Sequence, residues 1–185
     1  METPLAAGEQ TQYLTFTIGD EEYALGILRV REIIQYDTVT RVPRMPPWIR
    51  GVINLRGGVV PVLDLALKLG LPAAEVTKET CIVISEVAAD GESCLMGIVA
   101  DTVCQVIDLS ASEIEPAPAF GTRVRVDYLH GMGKVGRRFV LLLDAERVLS
   151  ADELSGTAAL VAPEAPADEG ALPPPAPSAG VEGRA

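Results

Sequence analysis

The feature that most constrains this chain is that it contains part of itself twice. Within residues 40–69, TRVPRMPPWIRGVINLRGGVVPVLDLALKL, the second half returns eighty positions later as LHGMGKVGRRFVLLLDAERVL. Without a gap, Gly51 falls on Gly131, Val60 on Val140, Leu63 on Leu143, Asp64 on Asp144 and Leu69 on Leu149, and apolar positions match between these identities. Each copy reads as a strand, a Gly-containing turn, a second apolar strand and an Asp that opens a short helical segment. An Asp placed there acts as an N-cap, because its carboxylate accepts a free backbone N–H and faces the positive end of the helix dipole. Gly70 then closes the first helix as a left-handed C-terminal cap. Such a repeat predicts two similar small β units.

The rest of the chain up to residue 150 follows the same β logic. Tyr13 to Ile18 and Glu22 to Ile27 form an opening hairpin around Gly19-Asp20-Glu21, and Cys81 to Val87 with Ser93 to Ala100 form another around Ala89-Asp90-Gly91. Leu28, Val30, Ile33 and Ile34 are spaced for a short amphipathic helix, with an irregular strand as the alternative. Pro46-Pro47 starts a brief helical turn carrying Trp48 and Ile49. Val52 to Leu55 and Val59 to Leu63 pair across Arg56-Gly57-Gly58, and Pro61 calls for an edge position or a bulge in the second strand. Val103 to Leu109 continues as a strand or helix-like connection, and Ser112 to Phe120, interrupted by prolines, reads as an exposed extended loop. Many short strands with Gly turns imply an all-β architecture closed into small barrels that hide strand edges.

Beyond residue 150 the composition changes. Ala, Pro and Gly supply twenty of the last thirty-five residues, and Pro173-Pro174-Pro175 blocks helix and strand alike. Residues 151–185 are therefore expected to be a disordered tail, and residues 1–11 a flexible start. The formal net charge is −11, and residues 151–185 contribute six acids and one arginine to it. Neither part has the basic balance of a binder of phosphate backbones, so no nucleic-acid partner is expected. The start METPLAAGEQTQ lacks the basic and apolar regions of a secretory signal, and no stretch has the roughly twenty apolar residues that a bilayer span needs. Membrane insertion is not expected, and the location expected is the cytoplasm. Cys81, Cys94 and Cys104 share no CxxC spacing and read as buried free thiols of a reducing compartment.

Catalytic chemistry has little to work with. His130 in LHGMG has no nucleophile near it in the sequence and reads as a surface or strand-end imidazole. With one histidine in the chain, a zinc site would need an unusual ligand set. Asp20-Glu21-Glu22 is a solvated hairpin tip, and LRGG at Leu55 to Gly58 has no following helix to make a phosphate nest. No enzyme activity and no cofactor are expected. What remains is apolar and backbone-shaping, as in a recognition surface.

The succession FTIGDEEYALGILRVREII, TRVPRMPPWIRGVINLRGGVVPVLDL, GIVADTV, IEPAPAF and YLHGMGKVGRRFVLLLD resembles, from about Tyr13 to Leu149, the CheW-type chemotaxis coupling proteins. The resemblance implies two packed five-stranded SH3-like barrels within one domain at 12–150, in agreement with the duplication. It also implies an adaptor that ties the cytoplasmic hairpin tip of chemoreceptors to the regulatory domain of a CheA-type histidine kinase, recruited to membrane-associated receptor arrays. Val30 and Glu32 in LRVREI, and Arg56 and Gly57 in NLRG, match positions near that family's receptor-contacting surface. Glu32 and Arg56 are expected to pair, the carboxylate holding the guanidinium fork extended at the rim of an apolar groove. Gly97, Val103 and Val106 match positions lining the groove between the barrels, although β-branched residues at such places also suit a core. Phe120 resembles an exposed aromatic on a loop that helps build adaptor–kinase rings. Glu115 departs from the pattern there, since some relatives carry a basic residue. Two other readings keep the fold: an adaptor in a pilus-motility or second-messenger circuit, and a small-molecule sensor using the cleft between barrels.

Overall fold

A computed structural model describes residues 10–89, 91–117 and 126–148. In chain order the elements are β1 (Gln10–Ile18), β2 (Glu21–Gly26), a 3-10 turn (Ile27–Arg29), β3 (Val30–Gln35), β4 (Ile49–Leu55), β5 (Gly58–Leu63), α1 (Leu65–Lys68), β6 (Cys81–Ala89), β7 (Glu92–Ala100) and β8 (Thr102–Ser110). A second 3-10 turn (Ala111–Glu113), β9 (Ile114–Glu115), a third 3-10 turn (Val126–Tyr128), β10 (Leu129–Val135), β11 (Arg138–Leu143) and α2 (Ala145–Val148) follow. One sheet runs β8-β1-β2-β11-β10-β9 and the other β3-β6-β7-β5-β4. The chain thus starts in the first sheet, builds the whole of the second, and returns to complete the first. The mostly-β architecture of two small units with a few short helices is the one expected. The Ala/Pro-rich segment 151–185 and residues 1–9 lie outside the described residues.

The repeat holds to the residue. Shifting β4, β5 and α1 by eighty positions gives the limits of β10, β11 and α2. Both hairpins carry the same register shift, between Ile49 and Gly51 and between Leu129 and Gly131. Both receive a short third strand at equivalent places: Thr40 bridges Val52, and Glu115 of β9 pairs with Met132. The capping Asp also does the same work twice. Asp64 Oδ1 accepts from Leu67 N at 3.3 Å, and Asp144 Oδ1 accepts from Glu146 N at 3.0 Å and Arg147 N at 3.2 Å. Their own N–H groups donate to the carbonyls of Trp48, at 2.7 Å, and Tyr128, at 3.0 Å, again equivalent residues.

The core explains the near-continuous apolar runs of the inner strands. Val60 and Val62 of β5, Ile82 and Ile84 of β6, and Val99 of β7 fill the interior of one unit. Tyr13, Ala24, Leu109, Val140 and Leu142 fill the other. The alternate residues, among them Phe16, Leu25, Leu63, Val83, Met96, Ile98, Leu141 and Leu143, meet in a single layer between the two sheets. A strand read with period two therefore serves one core on each face. Lys68 crosses the same junction. Its ammonium lies 5.9 Å from the Trp48 ring centre and 5.5 Å from that of Tyr128, and it donates to the Val148 carbonyl at the end of α2. The two rings and the terminal carbonyl let a largely buried cation keep favourable electrostatic contacts.

Three local expectations are corrected. The segment from Val30 to Gln35 is a strand rather than a helix, with alternating burial and pairing to β6, and only Ile27–Arg29 forms a single 3-10 turn. Pro47 and Trp48 form a turn that leads directly into β4. Pro61 sits in an internal strand, since β5 lies between β7 and β4. It faces Val52, whose N–H and C=O both bond Thr40, so this pair exchanges no hydrogen bond with β5. The missing N–H belongs to the other side, where pairing with β7 begins only at Val62.

Gly51 shows why the repeat keeps its glycine. It has φ +151°, and a Cβ there would stand 2.1 Å from the Thr40 carbonyl oxygen; at Gly131 a Cβ would stand 2.7 Å from that of Glu115. Both clashes are with backbone, which cannot swing aside. Gly51→Ala is expected to destabilise the protein by about 1–3 kcal/mol, as overpacking does, read as a lower urea midpoint with an unchanged far-UV spectrum. A midpoint equal to that of the unsubstituted protein would refute the close-approach account.

Candidate functional site

Most of the described residues singled out from the sequence lie on edge strands or at the β4–β5 hairpin tip, whereas Gly97 lies in the internal strand β7. The β4–β5 hairpin turns on Arg56 and Gly57, whose φ values of 51° and 85° carry the signs of a type I′ turn that matches strand twist. Asn54 Oδ1 accepts from Gly57 N at 3.0 Å and holds the turn. The turn carries Arg56 out to 80% side-chain exposure, and its Nη2 meets Glu32 Oε2 at 3.1 Å. The expected Glu32–Arg56 pair is therefore present. It links β3, one edge of the second sheet, to the tip of the hairpin that ends at the other edge. In energy it is a surface pair of about 0–1 kcal/mol, so its geometric role exceeds its stabilising one.

The remaining positions divide. Val30 of β3 and Val103 of β8 are half-buried on different sheets and both pack against the shared layer between them. Val106 of β8 is 47% exposed and open to contact. Gly97 of β7 is buried, and a Cβ there would come 2.6 Å from Ile82 Cγ2, so its smallness serves packing inside one unit. Glu115 is exposed in β9, which turns part of the expected loop into sheet. Phe120 lies outside the described residues.

Sequence reasoning missed the apolar groups beside the polar pair. Leu28 is 89% exposed, and Ile33 and Val59 are also exposed, each close in the chain to Glu32 or Arg56. The sequence V-R-E-I-I-Q does not alternate apolar with polar residues, so no local signal marked Ile33, and it is the pairing of β3 with β6 that gives the strand its alternating exposure. Two further ion pairs brace the neighbourhood: Arg31 with Glu86, and Arg29 Nη2 with Glu146 Oε1 at 2.5 Å, the latter joining the first 3-10 turn to α2. An ion pair with exposed aliphatic residues close to it in the chain has the composition of a protein-docking surface.

All three cysteines are free, but where buried thiols were expected Cys81 and Cys94 are only half-buried and Cys104 is exposed, β8 being an edge strand. Its thiol is nevertheless pushed above its ordinary pKa, first by burial of the sulfur and then by the Glu22 carboxylate, which outweigh a Thr15 hydrogen bond and Arg138. Burial pushes Cys94 the same way. Since the thiolate is the reactive form, native Cys104 is expected to alkylate with iodoacetamide at pH 8 more slowly than in the urea-unfolded chain. The gap should close as pH rises past the raised pKa. Equal native and unfolded rates at pH 8 would contradict this placement of the sulfur.

Comparison with known proteins shows the family and the fold. Residues 12–153 match the family model described as the CheW-like domain. The chain is 39% identical over 151 residues to the chemotaxis protein CheW of Klebsiella aerogenes, covering 80% of this chain and 89% of the relative. It is 37% identical over 150 residues to the chemotaxis protein CheW of Bacillus subtilis, covering 80% and 92%. Among solved structures, the scaffolding protein TtCheW from Thermoanaerobacter tengcongensis is similar with a TM-score of 0.67 at 27% identity, over 80% of this chain and 90% of that one.

Proposed function

This chain belongs to the CheW-like domain family, and we infer from that premise that it is an adaptor of chemosensory signalling that couples chemoreceptors to a CheA-type histidine kinase. The observation that carries the site is the Arg56–Glu32 pair. A guanidinium on a hairpin tip, fixed by a left-handed turn on one side and a carboxylate on the other, arrives at a partner with little freedom left to lose. Leu28, Ile33 and Val59 supply apolar contact near it. The partner for this surface is the helical hairpin tip of a receptor, whose amphipathic face suits a polar clasp rimmed by aliphatic groups. Val30, Val103 and Val106 extend the surface toward the junction of the sheets, Gly57 shapes its tip, and Gly97 supports it from inside. The kinase's regulatory domain takes a separate face, and the segment with Glu115 and Phe120 contributes to adaptor–kinase rings.

In this scheme the protein holds and aligns partners and carries out no reaction. Each contact is modest, and receptors packed in membrane-associated arrays multiply weak contacts through high effective concentration. The adaptor itself works from the cytoplasmic side.

Arg56→Glu is expected to weaken binding of the full chain to a receptor cytoplasmic fragment at least about tenfold, the cost of losing a charged contact of ~1.4 kcal/mol. Circular dichroism should stay native. The double variant Glu32→Arg with Arg56→Glu restores the clasp but not the charge presented to the receptor, so it should fold normally and still bind weakly. Unchanged affinity in both variants would remove Arg56 from the site. In a separate calorimetric titration, the full chain should bind the regulatory domain of its cognate CheA-type kinase saturably, and the Arg56→Glu variant should do so equally well. Absence of heat and of co-elution there would reject the coupling role itself.

A further inference from the structure

A small cavity lies where the segment before β4 passes α1. Met45, Ile49 and Leu67 form its half-buried apolar floor, and Arg41 and Arg44 stand exposed at its rim. Arg50 also lines it, but its guanidinium is committed, with Nε donating to Asp64 Oδ2 at 2.9 Å and Nη2 donating to the Ala74 carbonyl. Arg41 and Arg44 take part in no ion pair among the described residues, and no acidic residue lines the cavity. Arg44 has φ +64°, and it and Arg56 are the non-glycine residues with positive φ among those described. That conformation is strained for a residue with a Cβ, and such outliers gather at binding sites. Pro43 before it and Pro46-Pro47 after it fix the turn that presents it. Arg56 points its charge at Glu32, whereas Arg44 is held out over an apolar floor with no anion.

We propose that this cavity receives the acidic start of the chain's own C-terminal segment, Asp152-Glu153-Leu154. The described chain ends at Val148, whose carbonyl is bonded by Lys68, the residue that follows Leu67 of the cavity floor. Four residues of extended chain give Asp152 a reach of about 14 Å from Val148. The segment after Val148 holds six acids and one arginine, the charge complement of a rim carrying two uncommitted guanidinium groups. Leu154 supplies an apolar side chain for the floor of Met45, Ile49 and Leu67. Carboxylates on arginine forks make charge-assisted hydrogen bonds, and tethering raises their local concentration to the millimolar range. The segment thus covers the turn that leads into Trp48 and acts as an intramolecular competitor for any acidic partner of that face.

Hydrogen exchange of the full chain at low salt tests this. The expected result is protection in peptides covering residues 41–50 and residues 149–156. Both protections should be lost together in the Arg41→Glu/Arg44→Glu variant, lost again in the Asp152→Lys/Glu153→Lys variant, and restored when the four changes are combined. Trp48 is the chain's one tryptophan, so acrylamide quenching should rise and fall in step, with circular dichroism confirming the fold in every variant. If residues 149–156 exchange as an unprotected chain, or if reversing charges at 152 and 153 leaves residues 41–50 unchanged, the proposal fails. If protection of residues 41–50 arises only on adding the kinase's regulatory domain, the occupant belongs to that partner and self-docking is overturned.

Discussion

The layer of side chains between the two sheets constrains everything else in this molecule. Phe16, Leu25, Leu63, Val83, Ile98, Leu141 and Leu143 come from both sheets and are buried together. Each such side chain adds about 1.5–3 kcal/mol by leaving water. Neither sheet alone could cover this face, so the two units fold as partners rather than as independent beads. The interior of each unit is small by comparison, five buried residues in each cluster, and a private core of that size is too thin to stand alone. The edge strands β3 and β8 are left at the margins, where half-buried valines meet solvent and partner contacts become possible.

Symmetry and asymmetry are combined at that junction. Trp48 and Tyr128 are equivalent by the repeat, and so are Lys68 and Val148. The aromatic pair is kept, but the cation exists in one copy only and reaches across to the other copy's helix end. The capping carboxylates diverge as well. Asp64 is fully buried and shared with Arg50, whereas Asp144 bonds the adjacent Arg147. The repeat supplies the common geometry, and residues present in one copy only, Lys68 above all, tie the halves to one another.

Much of this was legible before any coordinates. The ungapped repeat, the capping Asp residues and the hairpin turns follow from local spacing, because caps and turns are short-range chemistry, whereas the Glu32–Arg56 pair, between distant residues, was expected only through the family resemblance. What escaped was set by distant partners. Val30 to Gln35 is a strand because β6 offers it an edge, and Pro61 is tolerated inside a sheet because its neighbour β7 pairs from Val62 onward. The insertion of one sheet within the other left no local mark either. Gly97 and Val106 look alike as groove candidates in sequence, and only the packing separates the buried glycine from the exposed valine.

The inserted arrangement of the sheets also sets an order of events on the ribosome. The second sheet is complete once β7 has emerged, since all its strands lie between Val30 and Ala100. The first sheet is not, because Tyr23 and Ala24 of β2 pair with Leu141 and Leu142, with nearly the whole described chain between them. Contacts of such long sequence separation form slowly. During synthesis the β1–β2 hairpin waits with both flanks unpaired until β8 and then β11 emerge, while every strand of the second sheet is already available. The first hairpin of the described chain is thus among the last elements to reach all its native partners.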